Sequence, residues 1–335
     1  MRIAVDADGG DHGAAVVVAG AVAGARRHGV GLVLTGPEAE VRAALATVDA
    51  SGVEVVVRDA PETIGMDEHP AQAVRRKPRS SIGVALEAVR AGEAAAMVSA
   101  GNSGAVMAAA LLVLGRIPGI DRPAIAAPLP SRCGQTLVLD LGAVTDPKPH
   151  HLVQFARMGA VYARGVLGVA APTVGLLSNG EEATKGSLLV QETHPLLAAA
   201  EGIDFRGNVE GTDIPRGVVD VVVTDGFTGN VALKVAEGVA GFVGETIRAE
   251  IMASPLRKLA GAVLRPAFRA ARARLDDAET GGAALLGVNG MVVIAHGRSN
   301  ETAIANAIGV AAKGAGSDVA GAIAAALAMP GRVDP

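Results

Sequence analysis

The feature that most constrains this chain is an alternation. Short runs rich in β-branched residues occur at 3–6, 31–35, 53–58, 95–99, 124–127, 135–139, 173–177, 218–224 and 291–295. Between them lie Ala-rich stretches with helical spacing, at 14–28, 38–48, 81–90, 103–114, 150–167, 188–199, 230–251 and 301–312. Strands that are apolar on both faces and separated by helices predict a mainly parallel sheet with helices on each side. No fixed repeat interrupts the pattern. No Ser/Gly/Pro-rich linker divides it, so the expectation is an α/β fold, one three-layer α/β/α domain over residues 1–335.

Composition narrows the function. Half of the 335 residues are hydrophobic, enough for a large core. Five Phe, one Tyr and no Trp argue against a stacking platform for single-stranded nucleic acid. A net charge of −4 provides no positive field for a nucleic-acid partner. A single cysteine, Cys133, excludes an internal disulfide and thiolate-rich zinc sites, and fits a reducing cytoplasm. It reads as a small buried side chain rather than a nucleophile. The start of the chain reads as a strand and not a signal peptide, and no apolar run reaches the ~18 residues of a spanning helix. Gly supplies 44 residues, an excess assigned to turns and helix–strand junctions.

Residues 254–275 depart from the rest. Six basic residues, Arg257, Lys258, Arg265, Arg269, Arg272 and Arg274, occur with no acidic one. Leu256, Leu259, Val263, Leu264, Phe268 and Leu275 recur near the helical period. Pro266 is expected to kink or split the helix. Such a stretch reads either as a helix packed on the body or on a second copy, or as a contact with an anionic surface, lipid or acidic protein.

Five glycine-rich junctions follow predicted strands: Asp6-Ala7-Asp8-Gly9-Gly10-Asp11-His12; Ser99-Ala100-Gly101-Asn102-Ser103-Gly104; residues 177–186, with Gly180-Glu181-Glu182 and Lys185-Gly186; Asp225-Gly226-Phe227-Thr228-Gly229-Asn230; and His296-Gly297-Arg298-Ser299-Asn300. Ligands of open α/β sheets bind at the carboxyl ends of strands. Glycine admits close backbone approach, and a following helix offers unpaired N–H groups to an anion. Ser103, Asn230 and Ser299 are the expected helix caps. Five such loops at one sheet edge, with Lys185, His296 and Arg298 among them, point to an anion site. Lys185 is one of only six lysines, set against twenty-four arginines. It reads as a surface charge paired with Glu181 or Glu182, or as a point charge for a phosphoryl or carbonyl oxygen. GxxxxGK[ST], GxGxxG after the first strand, GxSxG, CxxC and HExxH are all missing, so no cofactor and no metal is expected.

In order and spacing these motifs, with Asp121-Arg122-Pro123-Ala124, Leu139-Asp140-Leu141-Gly142-Ala143, Gly207-Asn208-Val209-Glu210-Gly211 and Leu286-Gly287-Val288-Asn289-Gly290, resemble those of the phosphate acyltransferase (PlsX) family over nearly the whole chain. Asp8, Ser103, Arg298, 144–146 and 178–179 depart from its usual residues. The resemblance implies transfer of a fatty acyl group from acyl carrier protein to inorganic phosphate, giving acyl phosphate for phospholipid synthesis. It implies a fold like isocitrate and isopropylmalate dehydrogenases, a homodimer and peripheral membrane association. It also implies that 254–280 is a protruding helical segment, and that a membrane glycerol-3-phosphate acyltransferase is a partner.

Phosphate is already an anion, so such a transfer needs no enzyme nucleophile. The protein must hold two reactants in line and stabilise an oxyanion. Gly101, Asn102, Ser103, Gly104, Ser299 and Asn300 are the candidate phosphate ligands. Lys185, Asp225 and His296 are the candidate catalytic residues. Asp6, Gly9, Gly10, Gly226, Thr228, Gly229 and Asn230 are candidates for the remaining substrate contacts. Leu259, Val263, Phe268, Arg257, Lys258 and Arg265 are candidates for membrane or partner contact, and Arg75, Arg76 and Lys77 offer a second basic surface. Three alternatives remain: a phosphotransacetylase-like enzyme using acyl-CoA, a dehydrogenase of the same fold, and a non-catalytic membrane-associated scaffold.

Overall fold

The computed structural model describes residues 1–275 and 281–328, with side chains described for all of these except 270–275. Eleven strands form one sheet: β1 (Arg2–Asp6), β2 (Gly31–Gly36), β3 (Val55–Asp59), β4 (Ala96–Ser99), β5 (Ala124–Ser131), β6 (Gly134–Leu139), β7 (Thr173–Leu177), β8 (Asp204–Val209), β9 (Val221–Val223), β10 (Ala283–Leu286) and β11 (Met291–Ile294). Their order is β3-β2-β1-β4-β11-β10-β5-β6-β9-β7-β8.

The pairing divides the sheet into two parallel blocks. β3, β2, β1, β4 and β11 run together, as do β6, β9, β7 and β8. Antiparallel pairings of β11 with β10, β10 with β5 and β5 with β6 make the blocks point in opposite directions. The reversal corrects the expectation of five loops at one edge. Loops after β1, β4 and β11 leave one edge, and loops after β7 and β9 leave the other. A signal was present in the sequence: the strand candidates at 124–127 and 135–139 are too close for a parallel crossover, which needs a dozen residues or more.

Helices cover both faces, as the alternation predicts. Along β1, Ile3 and Val5 join the core beneath α1 (Gly13–His28), α6 (Pro149–Tyr162) and α10 (Glu301–Gly316). Ala4, between them, faces the core beneath α4 (Ser81–Arg90) and α5 (Ser103–Val113). This is the period of two that puts successive strand residues on opposite faces. The glycine excess is not confined to turns: Gly20 and Gly24 of α1 lie against residues 301–308 of α10, where two helices cross closely. The remaining helices are α2 (Glu38–Leu45), α3 (Pro70–Arg76), α7 (Leu188–Ala198), α8 (Gly226–Met252), α9 (Pro255–Leu275) and α11 (Val319–Ala328), with a π-helical turn at Ala163–Leu167.

α9 is one helix through Pro266, so the proline does not split it. α8 and α9 pack on each other, with Arg257 of α9 donating to Glu250 of α8 at 2.6 Å. From Gly238 to Glu250, α8 is exposed. Residues 276–280 of the expected protruding segment lie outside the described residues. No single described helix is long and apolar enough to cross a membrane.

Candidate active site

Strand order places a topological switch between β1 and β4. The chain leaves β1 toward β2 and β3, then returns on the other side of β1 as β4. The loops after these strands feed α1 and α5 on opposite faces and open a crevice between them. Asp6, at the end of β1, is fully buried. Its Oδ2 accepts from Ser99 Oγ at 2.5 Å, and Ser99 Oγ accepts from Gly101 N at 3.0 Å. A buried carboxylate therefore fixes the first turn of the loop after β4. Burial pushes the Asp6 carboxyl above its ordinary range, partly offset by the hydroxyls of Ser81 and Ser99. Gly9 sits so close that a Cβ there would collide with Asp6 Oδ2 and Gly101 N.

The loop after β11 completes this cluster. Asp11 N donates to Gly297 O at 2.7 Å, and Ala295 N to Ser99 O at 2.8 Å. Gly10 lies against Gly297 and Ala100. α5 and α10 both begin here. Asn102 Oδ1 caps α5 by accepting from Ala105 N, and Asn300 Oδ1 caps α10 by accepting from Ala303 N. Each cap is one residue from the expected Ser103 or Ser299. Asn102 Nδ2 also donates to Met66 O at 3.1 Å, which draws residues 65–68 over the crevice. This wall was missed in the sequence; Thr63, just ahead of it, donates to Asp8 in the loop after β1. The amides of Ser103 and Gly104 precede the first intrahelical bond and are the donors a helix start offers an anion.

α8 reaches this cluster from the other edge. It starts after β9 and carries Lys234 to 3.2 Å from His296 Nε2. Glu237 lies 3.1 Å from Lys234 Nζ, 3.4 Å from His296 Nε2 and 3.7 Å from Arg298. From sequence alone Lys234, in the helix after Asp225–Asn230, reads as a weaker candidate of the same sort as Lys185, and Glu237 as none. Their three-residue spacing on a helix is the signal that links them.

The second cluster lies at the start of α8. Asp225 Oδ1 caps the helix by accepting from Thr228 N at 2.8 Å, in place of the expected Asn230. Asp140, buried at the end of β6, accepts from the amides of Ile125, Gly142, Ala143 and Val144. Burial raises its pKa, and those four amides oppose the rise. Gly226 and Gly229 are buried against residues 140–144, with no room for a Cβ on Gly229 beside Asp140 O. Thr228 and Asn230 are exposed.

Lys185 stands apart. It follows β7 in a loop held by Asn179 Oδ1 accepting from Gly186 N and by Asn208 donating to Glu182 O. Among the described residues its amine has no ion pair with Glu181, Glu182 or any other acid, so the surface-pair reading fails. Cys133 is exposed in the β5–β6 turn, contrary to the buried reading. Asp121, His150 and His151 bring potential ligand atoms within 4.8 Å of one another. However, His151 Nδ1 accepts from Lys148 N at 3.0 Å, so the neutral ring keeps its proton on the other nitrogen. On α9, Leu259, Val263 and Phe268 are exposed, as are Arg257, Lys258 and Arg265.

The family model described as "Fatty acid synthesis protein" matches residues 1–321. The phosphate acyltransferase of Geobacter sulfurreducens is 53% identical over 308 residues, covering 92% of this chain and 89% of that one. That of Pelotomaculum thermopropionicum is 51% identical over 311 residues, covering 93% and 90%. The fold is shared with the EutD phosphotransacetylase of Staphylococcus aureus at a TM-score of 0.63 and 18% identity, covering 94% of each chain. It is shared with the 4-hydroxythreonine-4-phosphate dehydrogenase of Klebsiella pneumoniae at 0.52 and 17%, covering 94% and 98%. Agreement with the curated relatives at about half of all positions, across nine-tenths of the chain, makes this protein a member of the phosphate acyltransferase family, an enzyme of acyl transfer to phosphate.

Proposed function

We propose that this enzyme moves a fatty acyl group from acyl carrier protein to inorganic phosphate, and that the acyl phosphate formed serves phospholipid synthesis. The first loop cluster carries this reading: two capped helix starts on neighbouring strands, beside Lys234, His296 and Arg298. We assign phosphate to the amides and side chains of Gly101–Gly104, Ser299 and Asn300. A phosphate oxygen attacks the thioester carbonyl carbon, and the carbonyl electron pair moves onto oxygen. Collapse of that oxyanion breaks the C–S bond and releases the carrier's thiolate. With a reference pKa of about 8.5, the thiolate departs without obligatory protonation, and we assign His296 to supply a proton to it. The term asked of the protein is charge stabilisation and alignment.

Lys185 is assigned to the developing oxyanion, with amides near Gly226, Thr228, Gly229 and Asn230. Asp225 caps the helix that carries Lys234 and so positions it. β7 is five steps from β11 in the sheet. A twist of about 20–25° per strand turns the reversed block through roughly 100–125° over that span, which favours an approach of its loops to the first cluster. Asp6, Gly9 and Gly10 hold the crevice wall. We further propose a single domain working as a cytoplasmic homodimer at a membrane surface, next to a membrane glycerol-3-phosphate acyltransferase. The exposed apolar residues of α8 and α9, from Phe227 to Phe268, support both contacts. The basic side chains Arg257, Lys258 and Arg265, or Arg75 and Arg76 on α3, suit an acidic carrier.

Long-chain acyl carrier protein plus phosphate, with acyl phosphate trapped as its hydroxamate, tests the reaction. Product from the carrier thioester supports the proposal. Product from acyl-CoA alone would place the enzyme with phosphotransacetylases, whose fold it shares. No product from either would leave the scaffold reading. For the membrane contact, replacing Leu259, Val263 and Phe268 with Gln should release the protein from anionic liposomes. Undiminished binding refutes it.

A further inference from the structure

We infer that Glu237 is a positioning residue for the phosphate site, holding Lys234, His296 and Arg298 together as one cationic wall. The inference rests on the assignment of phosphate to the first loop cluster. Three observations carry it. Glu237 is the most buried partner in each of its contacts, with its side chain 19% exposed against 40–61% for the three cations. Both of its oxygens are used: Oε2 faces Lys234 at 3.1 Å and Arg298 at 3.7 Å, and Oε1 faces His296 at 3.4 Å. The contacts also join two elements, since Lys234 shares α8 with Glu237 whereas His296 and Arg298 sit on the loop after β11.

The chemistry follows from the spacing. Lys234 Nζ and His296 Nε2 are 3.2 Å apart. Without a proton Nε2 accepts from Lys234 Nζ; with one the two groups repel, and the carboxylate beside both offsets that repulsion. Leu233, the residue before Lys234, packs on the core, so the base of α8 is fixed and Glu237 acts on the side chains that project from it. Removing the charge therefore lets the Lys234, His296 and Arg298 side chains turn away from one another and disperses the wall. Glutamine keeps the volume and loses the charge, while aspartate keeps the charge on a shorter arm.

The test is isothermal titration of the full-length protein with inorganic phosphate, without acyl donor, for wild type, Glu237→Gln, Glu237→Asp and Lys234→Met. A steady-state split accompanies it. Glu237→Gln should weaken phosphate binding about tenfold and raise the phosphate KM by a like factor. The KM for the acyl donor should hold, and Glu237→Asp should recover part of the loss. If Lys234→Met weakens phosphate binding and Glu237→Gln does not, the positioning role is wrong while the site assignment survives. If neither variant changes phosphate binding, the site assignment itself fails. Equal losses in the KM values of both substrates would mark Glu237 as a general structural residue and also overturn the inference.

Discussion

The two loop clusters look alike in sequence and differ in how they use their amides. In the second cluster the donors are consumed internally. Asp140 takes four backbone N–H groups, Asp225 takes one, and Gly226 N donates to Val144 O. In the first cluster a buried carboxylate takes no amide directly from the loop after β4. Asp6 acts through Ser99, which holds only Gly101 N, and leaves the starts of α5 and α10 with a single cap each. A glycine-rich turn after a strand is thus two different objects. One is a closed loop that stabilises itself, and the other is an open loop that offers donors to something else. What separates them is whether an acidic side chain reaches back into the loop.

The sharpest way to break this comparison is at Asp140. Asp140→Ala strands four amides, three in the loop after β6 and one on β5, and each unmet buried donor costs about 1–3 kcal/mol. A loss of about 4 kcal/mol in chemical denaturation is expected, and a loss under 1 kcal/mol would mean the loop is not self-supporting. Lys185→Ala probes the oxyanion role proposed for the loop after β7. Its exposed amine has no partner among the described residues, so stability should hold while kcat falls about 100-fold, the scale of one lost oxyanion donor. Normal turnover would remove Lys185 from the mechanism. Asn102→Ala is milder. Loss of the α5 cap should cost about 1 kcal/mol and free residues 65–68, seen as faster proteolysis of that loop.

The smallest effect is a pH slope. Burial and the neighbouring His150 depress His151 to about 4, and its Nδ1 must stay unprotonated to accept from Lys148 N. The unfolded chain then binds more protons than the folded one between about pH 4 and 6.5, so stability is lost as pH falls through that window. His151→Asn, which keeps an acceptor without a titrating ring, should flatten the fall in Tm between pH 6.5 and 4.5. An unchanged slope would assign it to other groups.

Much of the fold was legible because two-faced apolar strands and helical spacing are local properties. The segments around Val5, Val98 and Val292 became strands, and 81–90 became a helix with the bounds expected. β10 was not legible, because Ala283-Ala284-Leu285-Leu286 has no β-branched residue and owes its strand conformation to neighbours on both sides. β8 was hidden by its polar alternation at the sheet edge. Sheet direction was the main loss: a local pattern identifies a strand and carries no sign, whereas the reversal depends on the short β5–β6 turn. In the site, the glycines and Asn102 could be read as loop chemistry. The meeting of Lys234 and Glu237 with His296 and Arg298 could not, because it depends on the path of α8 across some sixty residues of sequence.

The central claim is that the open cluster, and not the closed one, takes the reacting anion. Crystals of the full-length protein soaked with arsenate, a phosphate analogue visible by its anomalous scattering, test it most directly. The account predicts a peak between the amides of Ser103 and Gly104 and the side chains of His296 and Lys234. A peak confined to the loops at Asp140–Val144 and Asp225–Asn230, or the absence of any ordered anion at the first cluster under saturating arsenate, would contradict it.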